Sequence, residues 1–151
     1  MENSFEKRIS NNSGYSGTPL ARKLGIKSGC KVRFINQPDY YLDLFIDFPE
    51  KVEIVTEKEP KKDLIHYFIT SKETFFLDLP NLKSEIQENG IIWVSWPKKS
   101  SKIQTEVSEN TIRDFILVNG LVDIKVCSVD ETWSALKLVI PLKERATHNF
   151  L

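Results

Sequence analysis

From Ser16 onward, short apolar runs alternate with longer stretches of helical character, which predicts strands interleaved with helices. Ser16-Gly17-Thr18-Pro19, followed by Leu20, Leu24 and Ile26, reads as a capped short helix that ends at Gly25. Lys31 to Asn36 places Val32, Phe34 and Ile35 in one apolar run after the turn pair Ser28-Gly29, as a central strand would. Asp39 to Phe48, dense in Tyr40, Tyr41, Leu42, Leu44, Phe45 and Ile46, predicts a helix packed on a sheet and closed by Pro49. Lys51 to Thr56 alternates apolar and polar residues, as a half-exposed edge strand does, and Glu57 to Lys62 is a charged loop.

Leu64 to Thr70 predicts a buried strand, with Ser71 as the N-cap of a helix running through Leu79. Pro80 opens a second helical piece, Asn81 to Glu88, ended by Asn89-Gly90. A strand at Ile91 to Trp96, a polar loop from Pro97 to Lys102 and a helix from Ser108 to Gly120 come next. Val122 to Val129 and Thr132 to Ile140 pair as a hairpin around Asp130-Glu131. Parallel neighbours need the long crossovers that helices supply. The order therefore predicts an α/β Rossmann-like three-layer sandwich, with a mostly parallel sheet of about six strands and a C-terminal antiparallel hairpin.

At 151 residues, 40% hydrophobic and 28% charged, the chain has the size of one domain with a real core. We expect that domain over 16–142, after a disordered segment over 1–15 and before a flexible tail over 143–151. Lys+Arg and Asp+Glu both total 21, so no global field draws the protein to nucleic acid or to an anionic membrane. No apolar run approaches the roughly 20 residues that span a bilayer. Cys30 and Cys127 stand alone in sequence, which fits free thiols, a reducing compartment and a cytoplasmic location.

Three segments carry a family resemblance: Ser16 to Leu20 (SGTPL), Trp96 to Ser100 (WPKKS) and Gly120 to Val139 (GLVDIKVCSVDETWSALKLV). With them the chain resembles an uncharacterised bacterial family of small proteins, a domain of unknown function, over about Ser16 to Leu142; the resemblance implies no activity. More distantly, the order of elements is similar to the methyltransferase-type Rossmann fold. That similarity implies the strand order 2-1-3-4-6-5, with one strand missing from the usual edge. It also implies a glycine-rich turn after the first strand, where Asn36-Gln37-Pro38-Asp39-Tyr40 stands instead. Glu57, beyond the second strand, is a weak candidate for the ribose-binding acid of such folds.

Ligands of open parallel sheets bind at the carboxyl ends of the strands. Asn36 to Tyr40, Trp96 to Ser101 and Asp130 to Trp133 all map to that edge. Lys98, Lys99 and Lys102 with Ser100 and Ser101 supply donors suited to phosphate or carboxylate, although a solvated basic loop has the same composition. Trp93 and Trp96 are out of phase on one strand, which makes Trp93 a core residue and leaves Trp96 to join Trp133 as an aromatic wall, or simply to pack. Asn36, Trp96, Lys98, Lys99, Ser100, Asp130 and Trp133 are thus the candidate ligand-binding residues.

His66 lies inside an apolar strand and reads as structural, and neither it nor His148 has metal-ligand spacing. No catalytic residue is assigned, no metal is expected, and the missing glycines disfavour S-adenosylmethionine as a cofactor. The expected function is a non-catalytic or regulatory module binding a small anion or metabolite. A divergent S-adenosylmethionine-dependent methyltransferase and a protein-interaction domain are the alternatives.

Overall fold

The computed structural model of the chain describes residues 17–146. The expected disordered lead-in and His148 lie outside them. Six strands form one sheet: β1 (Lys31–Ile35), β2 (Glu53–Ile54), β3 (Lys62–Phe68), β4 (Ile86–Pro97), β5 (Val122–Ser128) and β6 (Trp133–Val139), in the order β2-β1-β3-β4-β6-β5. The first four run parallel, while β6 is antiparallel to β4 and β5 antiparallel to β6. This is the Rossmann-like arrangement that the alternation of apolar runs predicts, and its strand order is the one the architectural resemblance implies.

Strand parity builds two cores. Ile65, Tyr67 and Ile69 of β3 and its extension, with Ile92, Val94 and Trp96 of β4, face one side. There they meet Phe75, Leu79 and Leu82 of α2 (Lys72–Lys83) and Ile112 and Ile116 of α3 (Glu109–Ile116). Leu64, Phe68 and Trp93 face the other side, against Leu20, Ala21 and Leu24 of α1 (Leu20–Leu24) and the aromatic segment after β1. A run of alternating residues buried on both faces is what a central parallel strand requires. Trp93 is fully buried and its indole N–H donates to the Leu24 carbonyl at 2.8 Å, tying α1 to the sheet.

Two expected helices are absent. The segment Asp39 to Phe48 forms only a 3-10 turn at Tyr41–Leu44. Its rings instead collapse on one another edge to face: Tyr41 with Phe34 at 4.9 Å and with Phe45 at 5.1 Å, and Phe45 with Phe48 at 5.2 Å. Asp47 is also committed elsewhere, its carboxylate accepting the amides of Ala21 and Arg22 at the start of α1 at 3.1 and 3.0 Å.

The helical piece expected over Asn81 to Glu88 is absent too. α2 continues through Pro80 to Lys83, with the proline on its exposed side, where the carbonyl left without an amide can face water. β4 then begins at Ile86, and its pairing with β3 jumps from Lys62↔Ile86 to Leu64↔Ile91, a bulge over residues 87–90. Gly90 is required there, because a Cβ would stand 2.9 Å from Ile86 Cβ and 3.0 Å from the Gln87 carbonyl oxygen. The Asn89-Gly90 pair thus marks a strand bulge, not a helix end.

The amino end of the sheet is held by charge. The ammonium of fully buried Lys62 donates to the carbonyls of Glu57 and Lys58 and to Glu85 Oε1 at 3.1 Å, and Arg33 meets the same oxygen at 2.7 Å. These contacts fold the short β2-to-β3 loop under the sheet. Of the expected tail, Lys143 and Glu144 belong to a 3-10 turn, Leu142–Glu144, that begins at the end of the domain, and the Arg145 guanidinium donates to the Ile140 carbonyl at 2.9 Å.

Candidate functional site

Strand order reverses between β1 and β3, so the crevice at their carboxyl ends is where a ligand of such a sheet is expected. Here it is nearly filled. Asn36 leaves β1 with φ at 59°, a left-handed turn that asparagine tolerates, and its carboxamide donates to the Phe68 carbonyl at 3.4 Å. Trp133 stands edge-on to Phe68 with ring centroids 5.1 Å apart. What remains is a cavity of about 250 Å³ lined by Asn36, Phe68, Thr70, Ser71, Thr74 and Trp133 among others. Glu57 is not near it: its carbonyl is bound by Lys62 at the opposite end of β3, so it is not placed as a ribose-binding acid.

Below the crevice, Tyr41, His66 and Ser95 form a buried chain. The Tyr41 hydroxyl lies 2.7 Å from His66 Nδ1, and His66 Nε2 lies 2.8 Å from Ser95 Oγ. Phe68 stacks on the imidazole at 4.2 Å. Burial lowers the His66 pKa to about 3 and pushes that of Tyr41 well up, so both groups are neutral near pH 7. All three are shut off from solvent, which makes the chain a structural polar network in which each group satisfies the next. Histidine satisfied on both nitrogens is the structural role its strand position suggests.

The aromatic wall does not form. In the antiparallel pairing of β4 with β6, Trp96 lies opposite Ser134 and Trp133 lies opposite Pro97. Trp96 and Trp133 are therefore on opposite faces of the sheet, packed in different cores. Asp130 serves the hairpin turn: its Oδ1 accepts the amides of Thr132 and Trp133, both at 2.8 Å. The Tyr40 phenol pKa is raised, by burial first and by the neighbouring Asp130 carboxylate second.

A cavity of about 470 Å³ opens one crevice over, between the end of β4 and the start of α3. Trp96, Pro97, Lys98 and Lys99 form its floor and one wall, with Ser134 of β6 beside Trp96. Val107, Ser108, Glu109 and Asn110 form the facing wall. Ser108 and Thr111 make a reciprocal capping box at the helix start. The carboxylate of Glu109 is engaged by Arg113 at 2.6 Å. Thr105 fixes the intervening loop by donating to the Thr70 carbonyl at 2.7 Å, and Glu106 accepts the amide of Lys72 at 2.8 Å.

Of the seven candidate residues, this cavity gathers Trp96, Lys98 and Lys99. Asn36 and Trp133 line the smaller crevice, Asp130 is in the turn, and Ser100 is exposed on the loop. The Lys98 ammonium is engaged by Ser128 Oγ, to which it donates at 2.7 Å, while Lys99 is exposed on the same wall. Ser134, Val107 and Asn110 went unrecognised in the sequence; only the β4–β6 register and the loop path bring them together.

No group of three or more metal-ligating side chains occurs among the described residues. Among the same residues, no helix is long and apolar enough to cross a membrane.

Comparison with solved structures defines the class. A SAM-dependent methyltransferase from Aquifex aeolicus superposes with a TM-score of 0.56 at 13% identity, over 92% of this chain and 96% of that one. A putative type 11 methyltransferase from Sulfolobus solfataricus gives 0.54 at 13% identity, over 80% and 89%. A protein of the NADB-Rossmann superfamily from Streptococcus agalactiae gives 0.54 at 9% identity, over 89% and 77%. At such identities the likeness shows the fold: a Rossmann-like fold of the methyltransferase type. The chain belongs to the family DUF3052, a protein of unknown function, whose model matches residues 53–142. The match takes in the segments at Trp96 to Ser100 and Gly120 to Val139, and leaves Ser16 to Leu20 outside. No curated protein matches the chain in sequence.

Proposed function

We propose that this protein is a non-catalytic module that binds a small anionic metabolite in the cavity between β4 and α3. The observation that carries the reading is the cavity of about 470 Å³ with Lys99 on one wall and the first residues of α3 on the other. Its volume is within the range of small-molecule sites. An anionic group placed there meets the lysine charge and the positive end of the helix dipole together. Trp96 and Val107 offer an apolar surface for the rest of the ligand.

The methyltransferase alternative draws on the fold alone. Against it stands the switch-point crevice, narrowed to about 250 Å³ by Asn36, Phe68 and Trp133 where such folds carry a glycine-rich turn. The test is a thermal-shift and calorimetric screen of anionic metabolites on the full chain and on Lys99→Ala. Binding that weakens about tenfold or more in the variant, with the fold unchanged, supports the assignment. Binding indifferent to Lys99 contradicts it.

A further inference from the structure

A second basic cluster lies outside this cavity, where α1 meets β5. Thr18, Arg22 and Lys23 on one side and Lys125, Cys127 and Ser128 on the other line a cavity of about 430 Å³, and among the described residues none that lines it is acidic. Ser128 gathers two ammonium groups: its carbonyl accepts Lys23 Nζ at 3.0 Å and its hydroxyl accepts Lys98 Nζ at 2.7 Å. Lys125 stands directly opposite Lys137 in the β5–β6 pairing, a like-charge pair that costs stability unless something offsets it. We propose that this cluster is a binding site for a phosphate group, as the free ion or as the monoester of a small metabolite.

Phosphate has the charge to offset several cations at once and enough acceptor oxygens to meet the Arg22 fork and the lysine ammonium groups. The electrostatics agree with the geometry. Burial holds the Lys23 ammonium below the usual lysine value; the Cys127 thiol opposes that shift, and the charges of Lys98 and Lys125 add to it. Burial also lowers Lys137, with Lys125 adding to the effect. A bound dianion relieves these repulsions and raises both groups. The site stands apart from the β4–α3 cavity, with which it shares only Lys98, whose ammonium belongs here.

The test titrates the 15N-labelled full chain with inorganic phosphate, with a pentose phosphate monoester, and with chloride at matched ionic strength. It is repeated on Arg22→Ala and Lys125→Ala, both exposed positions outside the two cores, and on Lys99→Ala. Saturable shifts of the Thr18, Arg22, Lys125 and Ser128 amides are expected from a phosphate source and not from chloride. Affinity read from those four amides should fall about tenfold or more in Arg22→Ala and in Lys125→Ala, and stay unchanged in Lys99→Ala, whose effect falls on the β4–α3 cavity alone. The source that binds tighter identifies the ligand. Linear shifts equal to those with chloride, or equal affinity in all variants, overturn the proposal. Loss in Lys99→Ala alone also overturns it while sparing the first cavity.

Discussion

The carboxamide of Asn36, where β1 ends, donates to the carbonyl of Phe68, where β3 ends, and so bridges the two strands across the point where the strand order reverses, narrowing the crevice there. A Rossmann-like sheet that binds a nucleotide-type cofactor keeps this point open. S-adenosylmethionine and S-adenosylhomocysteine are therefore expected to give no heat in calorimetry. Asn36→Gly should keep the left-handed turn and still bind neither, because Tyr41, Phe68 and Trp133 remain in place. Asn36→Ala should lose roughly 1–2 kcal/mol from the positive φ alone, read from urea unfolding.

His66 predicts an acid-sensitive fold. Its folded pKa is about 3 against the ordinary histidine value of 6.5, so between these pH values the unfolded chain binds a proton that the folded chain does not. Stability from this group is complete above about pH 6.5 and falls with pH through the window, by about 1.4 kcal/mol per unit at most. His66→Gln should lower stability at pH 7 but flatten the slope between pH 6 and 4 relative to the wild type. Equal slopes in the two proteins would count against the buried neutral imidazole.

Tyr41→Phe removes the partner of His66 Nδ1 without changing the ring packing. Leaving that nitrogen unsatisfied in the core costs about 1–3 kcal/mol, measurable as a lower denaturation midpoint with an unchanged m-value.

Glu85 balances a buried charge. Glu85→Ala leaves the fully buried Lys62 ammonium with only carbonyl partners, and breaking such a pair costs about 3–5 kcal/mol. Lys62→Met, which removes the charge and keeps the volume, should cost less. The comparison of the two midpoints separates charge from packing.

Gly90→Ala forces a Cβ against Ile86 and the Gln87 backbone, which cannot give without reopening the bulge. Overpacking of this kind costs about 1–3 kcal/mol. A neutral result in urea unfolding would mean that the bulge is looser than its close contacts imply.

Much of the fold was legible in the sequence because the central strands are apolar on both faces and the helix caps are local. Ser71, Ser108, Gly25 and Gly120 all stand at the helix ends their chemistry implies. The segment after β1 misled because its aromatic density suits a packed helix equally well, and only the long-range commitment of Asp47 to α1 decides otherwise. Gly90 misled because a glycine after asparagine marks a helix end and a strand bulge alike.

The candidate site was legible in part. That Lys98 and Lys99 sit at the carboxyl edge follows from the loop's position after β4. That Trp96 and Trp133 are separated follows only from a one-residue register between β4 and β6, and a one-residue offset puts a side chain on the other face. The gathering of Arg22, Lys23, Lys98 and Lys125 around Ser128 joins partners as far as 105 positions apart, which no local pattern reveals.

The most direct test of anion binding at the β4–α3 cavity is a thermal-shift screen of wild type and Lys99→Ala against phosphorylated and carboxylated metabolites and S-adenosylmethionine. A ligand at 100 times its dissociation constant stabilises the fold by about 2.7 kcal/mol, a rise of roughly 5–10 °C for a chain of this size. A rise with an anionic metabolite that shrinks in Lys99→Ala, and none with S-adenosylmethionine, is the expected result. A rise with S-adenosylmethionine, or none with any anion, contradicts it.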